Sequence, residues 1–226
     1  MAGAAGWRPY RHSGLIGGEA VNLLFFRLSE TCSGPLVSCM TNPPASTGIL
    51  HRLRTETCPY HDALEQNRFN RELTAGTLTP EATAHFLAKM YGFLKPYEDR
   101  LRQHHFAPEW AIAHRYRAHL ILQDLPAGSA ALPLCPALPP LHTWPQLLGA
   151  MYVLEGSTLG GQVIARQLAK AAIPARAYFS GYAERTGPMW KSFCLLLEQA
   201  VTPENEDEVV ASAGRTFQCL DAWINT

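Results

Sequence analysis

Again and again in this chain a threonine is followed within two residues by proline, and apolar residues then recur every three or four positions. Thr79-Pro80-Glu81 opens a stretch in which Phe86, Met90, Tyr91, Phe93, Leu94, Tyr97 and Leu101 keep helical spacing. Thr143-Trp144-Pro145 opens another, running through Leu147, Leu148, Met151 and Leu154 toward Ala172. Thr186-Gly187-Pro188 precedes Trp190, Phe193 and Leu197, and Thr202-Pro203-Glu204 precedes Val209, Val210, Ala213, Phe217, Leu220 and Trp223. The hydroxyl accepts from free N–H groups at a helix start, and proline in the first turn has a preset φ and no donor to lose. Pro108-Glu109 reads as a further start, with Trp110, Ala113, Tyr116 and Leu120 on one face. Alternating strand patterns are absent, so the expectation is an all-α, single-domain fold of about six main helices.

The chain has 226 residues, enough for one real core, and its 47% hydrophobic and 17% charged content excludes wholesale disorder and a highly charged coiled coil. Nineteen basic residues balance nineteen acidic ones, so no broad field attracts nucleic acid or an anionic membrane. No apolar run approaches the roughly 18–20 residues of a bilayer span, and Leu23–Phe26 is too short even for a secretory signal. The chain reads as cytoplasmic, and its six irregularly spaced cysteines as reduced thiols.

Residues 1–48, which end in the turn-forming stretch Thr41–Gly48, read as a poorly ordered extension and linker, and 49–226 as the helical domain. Met40, just before that stretch, is expected to be the natural start of translation. Pro126–His142, with five prolines, reads as a surface loop and not as a second domain.

Two segments carry candidate chemistry. Leu154-Glu-Gly-Ser-Thr-Leu-Gly-Gly-Gln162 places three glycines inside a helical pattern, each costing roughly 1 kcal/mol relative to alanine. The glycines serve either close packing between helices or the approach of backbone to a flat ligand, with a bend in the helix. No phosphate-loop pattern and no G-x-S-x-G elbow accompany them. The second segment is Leu53-Arg-Thr-Glu-Thr-Cys-Pro-Tyr-His-Asp-Ala-Leu-Glu65, in which His61 is one of nine histidines. Neither His104 with His105 nor His114 with His119 has the i, i+4 spacing of a helical zinc site, and H-E-x-x-H does not occur.

Taken together, the two segments resemble haem oxygenase, and specifically the bacterial biliverdin-forming branch found beside bacteriophytochromes. Leu53, Arg54, Thr57, His61 and Glu65 match the proximal-helix pattern L-R-x-x-T-x-x-x-H-x-x-x-E, and Tyr152–Ile164 matches the glycine-rich distal helix. The resemblance spans Gly48 to Ile224. It implies haem b sandwiched between two helices, as substrate and prosthetic group, with His61 as the axial iron ligand and Glu65 as its orienter. Gly156, Ser157, Gly160 and Gly161 would then form the O₂-facing surface. Arg54, two turns from His61, would meet a propionate, with Arg185 and Lys191 as further candidates, and Met151 and Phe217 would line an apolar pocket. The implied products are biliverdin, CO and ferrous iron. Electrons must come from a separate ferredoxin or flavoprotein reductase, because no dinucleotide- or flavin-binding pattern is present. A bacteriophytochrome is the implied acceptor of biliverdin.

Two residues depart from a smooth match. Pro59 is expected to kink the proximal helix or to begin a new one after a Thr57 cap. Ser157 stands where many family members carry a distal aspartate, and a serine cannot ionise, so protons would travel through water. A haem-binding or haem-delivery protein with little turnover is the alternative, followed by a helical interaction domain without haem.

Overall fold

The computed structural model describes residues 48–125 and 132–226. Their regular structure is all-α: α1 (Ile49–Glu65), α2 (Arg68–Ala75), α3 (Pro80–Leu101), α4 (Ala118–Asp124), α5 (Trp144–Lys170), α6 (Ala177–Ser180), α7 (Thr186–Ala200) and α8 (Glu206–Ile224), with 3₁₀ turns at Pro108–Trp110, Ile112–His114 and Ala183–Arg185. Of the extension read at 1–48, only Gly48 is described, as the residue before α1; Met40 lies outside the described residues. Among those residues, no helix is long and apolar enough to cross a membrane.

The starts of α3 and α5 follow from their caps. The Thr79 hydroxyl accepts from Ala82 N–H at 3.1 Å, and Thr143 with Gln146 forms a reciprocal capping box. Two other starts shift. At α8, Asn205 Oδ1 accepts from Thr202 N–H at 2.9 Å, which closes a turn first and delays the helix to Glu206. At α7, Thr186 is already inside the helix and donates to the Ala183 carbonyl at 2.9 Å.

The helix expected from Pro108 does not form as a unit. Ala111 adopts the left-handed conformation, with φ 47°, and splits the segment into two 3₁₀ turns. Helix α4 begins only at Ala118, where the Glu98 carboxylate of α3 accepts from the Arg117 and Ala118 N–H groups at 2.5 and 2.8 Å. Trp110 is buried all the same. Helices α2 and α6 are additions that the periodicity did not indicate.

Helix α8 is the spine: it packs along both α5 and α1 and also touches α3. Its buried residues Val209, Ala213, Phe217 and Leu220 meet Leu147, Leu148, Met151 and Leu154 of α5 within one core. The crossing of α5 and α8 is close because Gly149 has no side chain, and Ser212 Oγ donates there to the Gln146 carbonyl at 2.7 Å. A Cβ at residue 149 would overlap the Val209 carbonyl and lie 2.7 Å from Ser212 Cβ and 2.8 Å from Ala213 N. Gly149→Ala is therefore expected to destabilise the fold by about 1–3 kcal/mol, the usual cost of overpacking, read by urea unfolding; wild-type stability would contradict this packing. The described part of the proline-rich loop lies on this same core, with Cys135 N–H donating to the Gly92 carbonyl at 2.8 Å and Cys135 and Leu141 buried.

Candidate functional site

Helix α1 runs unbroken from Ile49 to Glu65 with Pro59 inside it, so no new helix starts after Thr57. The carbonyl that loses its partner to Pro59 belongs to Thr55, and both residues are exposed, so water can satisfy it. Thr57 is buried, and its hydroxyl donates back to the Leu53 carbonyl at 2.6 Å. Because the helix is continuous, Arg54 and His61 share a face, about 20° apart.

His61 is largely covered, with 16% of its side chain exposed. Its Nδ1 stands 3.6 Å from Asp62 Oδ1 and its Nε2 3.7 Å from Glu65 Oε1. Either ring nitrogen can therefore take a metal while the other keeps a carboxylate nearby, the arrangement that orients metal-bound imidazoles. Phe217 of α8 meets the ring edge-on at 5.8 Å. Burial lowers the His61 pKa below the ordinary 6.5, against the pull of Glu65 and Asp62, so the imidazole is neutral and its lone pair available at neutral pH. A depressed folded-state pKa sets the sign of a pH effect. His61's contribution to stability is present above about pH 6.5 and is lost as pH falls toward its lower folded value, because the unfolded chain takes up the proton first. His61→Gln in the apo protein is expected to flatten this part of the stability curve; an unchanged slope would contradict it.

Across from α1 stands α5. Tyr152, half-buried, feels the charge of Arg54, and burial pushes its phenol up to about 12 despite that charge. Gly156 and Gly160 follow Tyr152 at successive intervals of four, about 40° apart, and continue its stripe along the helix. Helices α1 and α5 share no extended contact of their own; each packs on α8 and α7 instead. His61 and Arg54 thus share one face of α1, and Tyr152, Gly156 and Gly160 one stripe of α5, with Arg54 close enough to Tyr152 for its charge to be felt.

No protein-family model matches the chain, and no curated protein matches its sequence. Solved structures do match. The haem oxygenase of Leptospira interrogans superposes with a TM-score of 0.64 at 17% identity, covering 79% of this chain and 98% of that one. Haem oxygenase-1 of the cyanobacterium Synechocystis sp. PCC6803, solved in complex with haem, superposes with a TM-score of 0.63 at 13% identity, covering 79% and 91%. The chain has the haem oxygenase fold.

Within the haem oxygenase fold not all the expected site residues converge. Gly161 faces α6: a Cβ there would lie 2.6 Å from the Phe179 carbonyl, so close packing accounts for this glycine. Arg185 is exposed, two residues after Ala183, whose carbonyl accepts from the Gln162 side chain at 2.7 Å. Lys191 is exposed and follows Trp190, whose ring lies 5.7 Å from that of Tyr152. Met151 is buried in the core. Ser157 is buried too, and its hydroxyl donates to the Leu154 carbonyl at 2.7 Å.

Behind α5 lies a polar network that the periodicity did not reveal. Arg115 and Glu155 form a buried ion pair, Tyr182 donates to Glu155 at 2.7 Å, and Arg115 Nε donates to the Trp110 carbonyl at 2.8 Å. Arg117, 3% exposed, donates to the Leu154 carbonyl at 2.6 Å and lies between Tyr178 and Tyr182. Glu155 adjoins Gly156 in the very segment that drew notice for its glycines. Its partner lies 40 positions back, in a stretch read as an ordinary helix face.

Proposed function

We propose that this chain is a haem oxygenase of the bacterial biliverdin-forming kind that accompanies bacteriophytochromes. The observation that carries the reading is the match to solved haem oxygenases; the sharing of one α1 face by His61 and Arg54, and the reach of the Arg54 charge to Tyr152 at the head of the Gly156 and Gly160 stripe, support it. His61 binds the iron through a neutral nitrogen, and Glu65 or Asp62 holds the second nitrogen. Arg54 and Lys191 meet the propionates at the Tyr152 end, where a charge-assisted contact is strongest if the pair is shielded. The glycine stripe leaves the opposite face of the ring free of side chains. Haem, when bound, supplies both the O₂-activating iron and the macrocycle that is opened. The chain contributes position, a covered site and hydrogen bonds, while electrons come from a separate ferredoxin or flavoprotein reductase.

A second reading, haem binding with little turnover, has one observation in its favour: the Ser157 hydrogen is committed to a helix carbonyl. The test is to titrate the protein with hemin, then supply a ferredoxin system or ascorbate under O₂ and chromatograph the product. A stoichiometric Soret band followed by biliverdin supports the oxygenase. A Soret band without biliverdin selects the binding protein, and no Soret band removes both.

A further inference from the structure

Three side chains converge at the C-terminal end of α1. One nitrogen of His61 and one carboxylate oxygen each of Asp62 and Glu65 lie within 4.8 Å of one another. Helical spacing accounts for the cluster, because 65 follows 61 by four positions and 62 by three, the two spacings that make side chains neighbours. The His61 and Glu65 side chains are 16% and 19% exposed and that of Asp62 is 68% exposed, so the cluster is backed by protein and open to solvent on one side. Asp62 turns Oδ1 toward the imidazole and accepts with Oδ2 from the Cys58 thiol at 3.7 Å, which steadies the carboxylate. Charge sets this turn apart. The last carbonyls of a helix carry a partial negative charge and favour a cation. Here the turn holds two carboxylates and no basic residue, so it does not supply that cation itself.

We infer that, with haem absent, His61, Asp62 and Glu65 bind a free divalent first-row transition-metal ion of the zinc class. One imidazole nitrogen with two carboxylate oxygens suits zinc and its neighbours, whereas magnesium and calcium take oxygen ligands alone. Tetrahedral bonds of about 2.0–2.1 Å set the donor atoms about 3.3 Å apart, a closure that rotation of the two carboxylates supplies, and water completes the shell on the open side. The consequence for haem rests on the function proposed above. A neutral imidazole has a single lone pair, so His61 cannot hold zinc and haem iron together. The free ion and haem then exclude each other, and the carboxylates that orient His61 toward haem become ligands themselves.

The metal site is tested on the full chain without haem, by calorimetric titration with zinc chloride. One saturable event of one zinc per chain is expected. His61→Ala should abolish it, and Asp62→Asn and Glu65→Gln should each weaken it at least about tenfold, since losing a ligand exceeds the roughly 10–100-fold cost of losing a residue that only orients one. His85→Ala, at an exposed position on α3, should leave it unchanged. X-ray absorption at the zinc edge should show nitrogen and oxygen neighbours at about 2.0–2.1 Å; a sulfur shell near 2.3 Å would assign the ion to a cysteine and overturn the three-residue site. No saturable zinc binding, or binding that survives all three substitutions, also overturns it. Zinc at ten times its Kd should weaken hemin uptake about elevenfold by simple competition. Zinc bound at His61 with hemin uptake undiminished would leave the metal site standing and count instead against His61 as the haem ligand, and so against the function proposed above.

Discussion

Glu155→Gln is expected to lower the stability of the chain by about 3–5 kcal/mol, because it leaves the Arg115 guanidinium buried and without its counter-charge. Both partners of the pair are at most 5% exposed, so water cannot take over. The same substitution replaces one carboxylate oxygen by an NH₂ group, so Arg115 and Tyr182 are left with one side-chain acceptor between them, beside the Trp110 and Met189 carbonyls for Arg115. For a domain of this size each kcal/mol moves the melting temperature by about 2–4 °C, so the expected fall is roughly 6–20 °C. The double variant Arg115→Met with Glu155→Leu should recover most of that loss, since a buried pair is expensive to break but cheap to replace with apolar groups of similar volume. The residue next in sequence is Gly156, so the single variant should also loosen α5 and weaken hemin uptake more than its stability loss alone predicts. If Glu155→Gln melts within a degree or two of wild type, the pair is not the anchor of α5.

What the sequence could disclose divides along the reach of each interaction. The caps at Thr79 and Thr143 act on N–H groups three residues away, and those starts are readable from a short window. Glu98 caps α4 from 19 and 20 residues upstream, and nothing near Arg117 advertises it. Ala111 in a left-handed conformation carries no signal at all, because alanine is an ordinary helix former; that one residue turns an expected helix into two 3₁₀ turns. Glycine spacing gave angles around α5 but no partners, so Gly161, packed on Phe179, could not be told from Gly156 and Gly160. The relation of Arg54, His61 and Glu65 was readable, because they lie on one helix and its geometry fixes their spacing. The surroundings of Arg185 were not, because the nearby bond from Gln162 to the Ala183 carbonyl depends on how the chain enters α7.

His61→Ala is expected to cost at least about a hundredfold in hemin affinity and to abolish biliverdin formation. The magnitude follows from a comparison: loss of a residue that merely orients a metal ligand already costs roughly 10–100-fold, and here the ligand itself is removed. The fold should survive, because the histidine lies at the edge of the core, against the ring of Phe217 and with 16% of its side chain in solvent. Added imidazole should enter the space left at residue 61 and restore a histidine-like Soret band and part of the turnover. Glu65→Gln makes the finer test, since it keeps the shape and removes the charge 3.7 Å from Nε2. It should weaken hemin binding by roughly 10–100-fold while leaving the axial spectrum that of a histidine. An unchanged spectrum and affinity in His61→Ala would move the ligand off α1. The proposed haem site would then lose the one residue that makes it an iron site, because Arg54 and the glycine stripe alone could hold any flat anion.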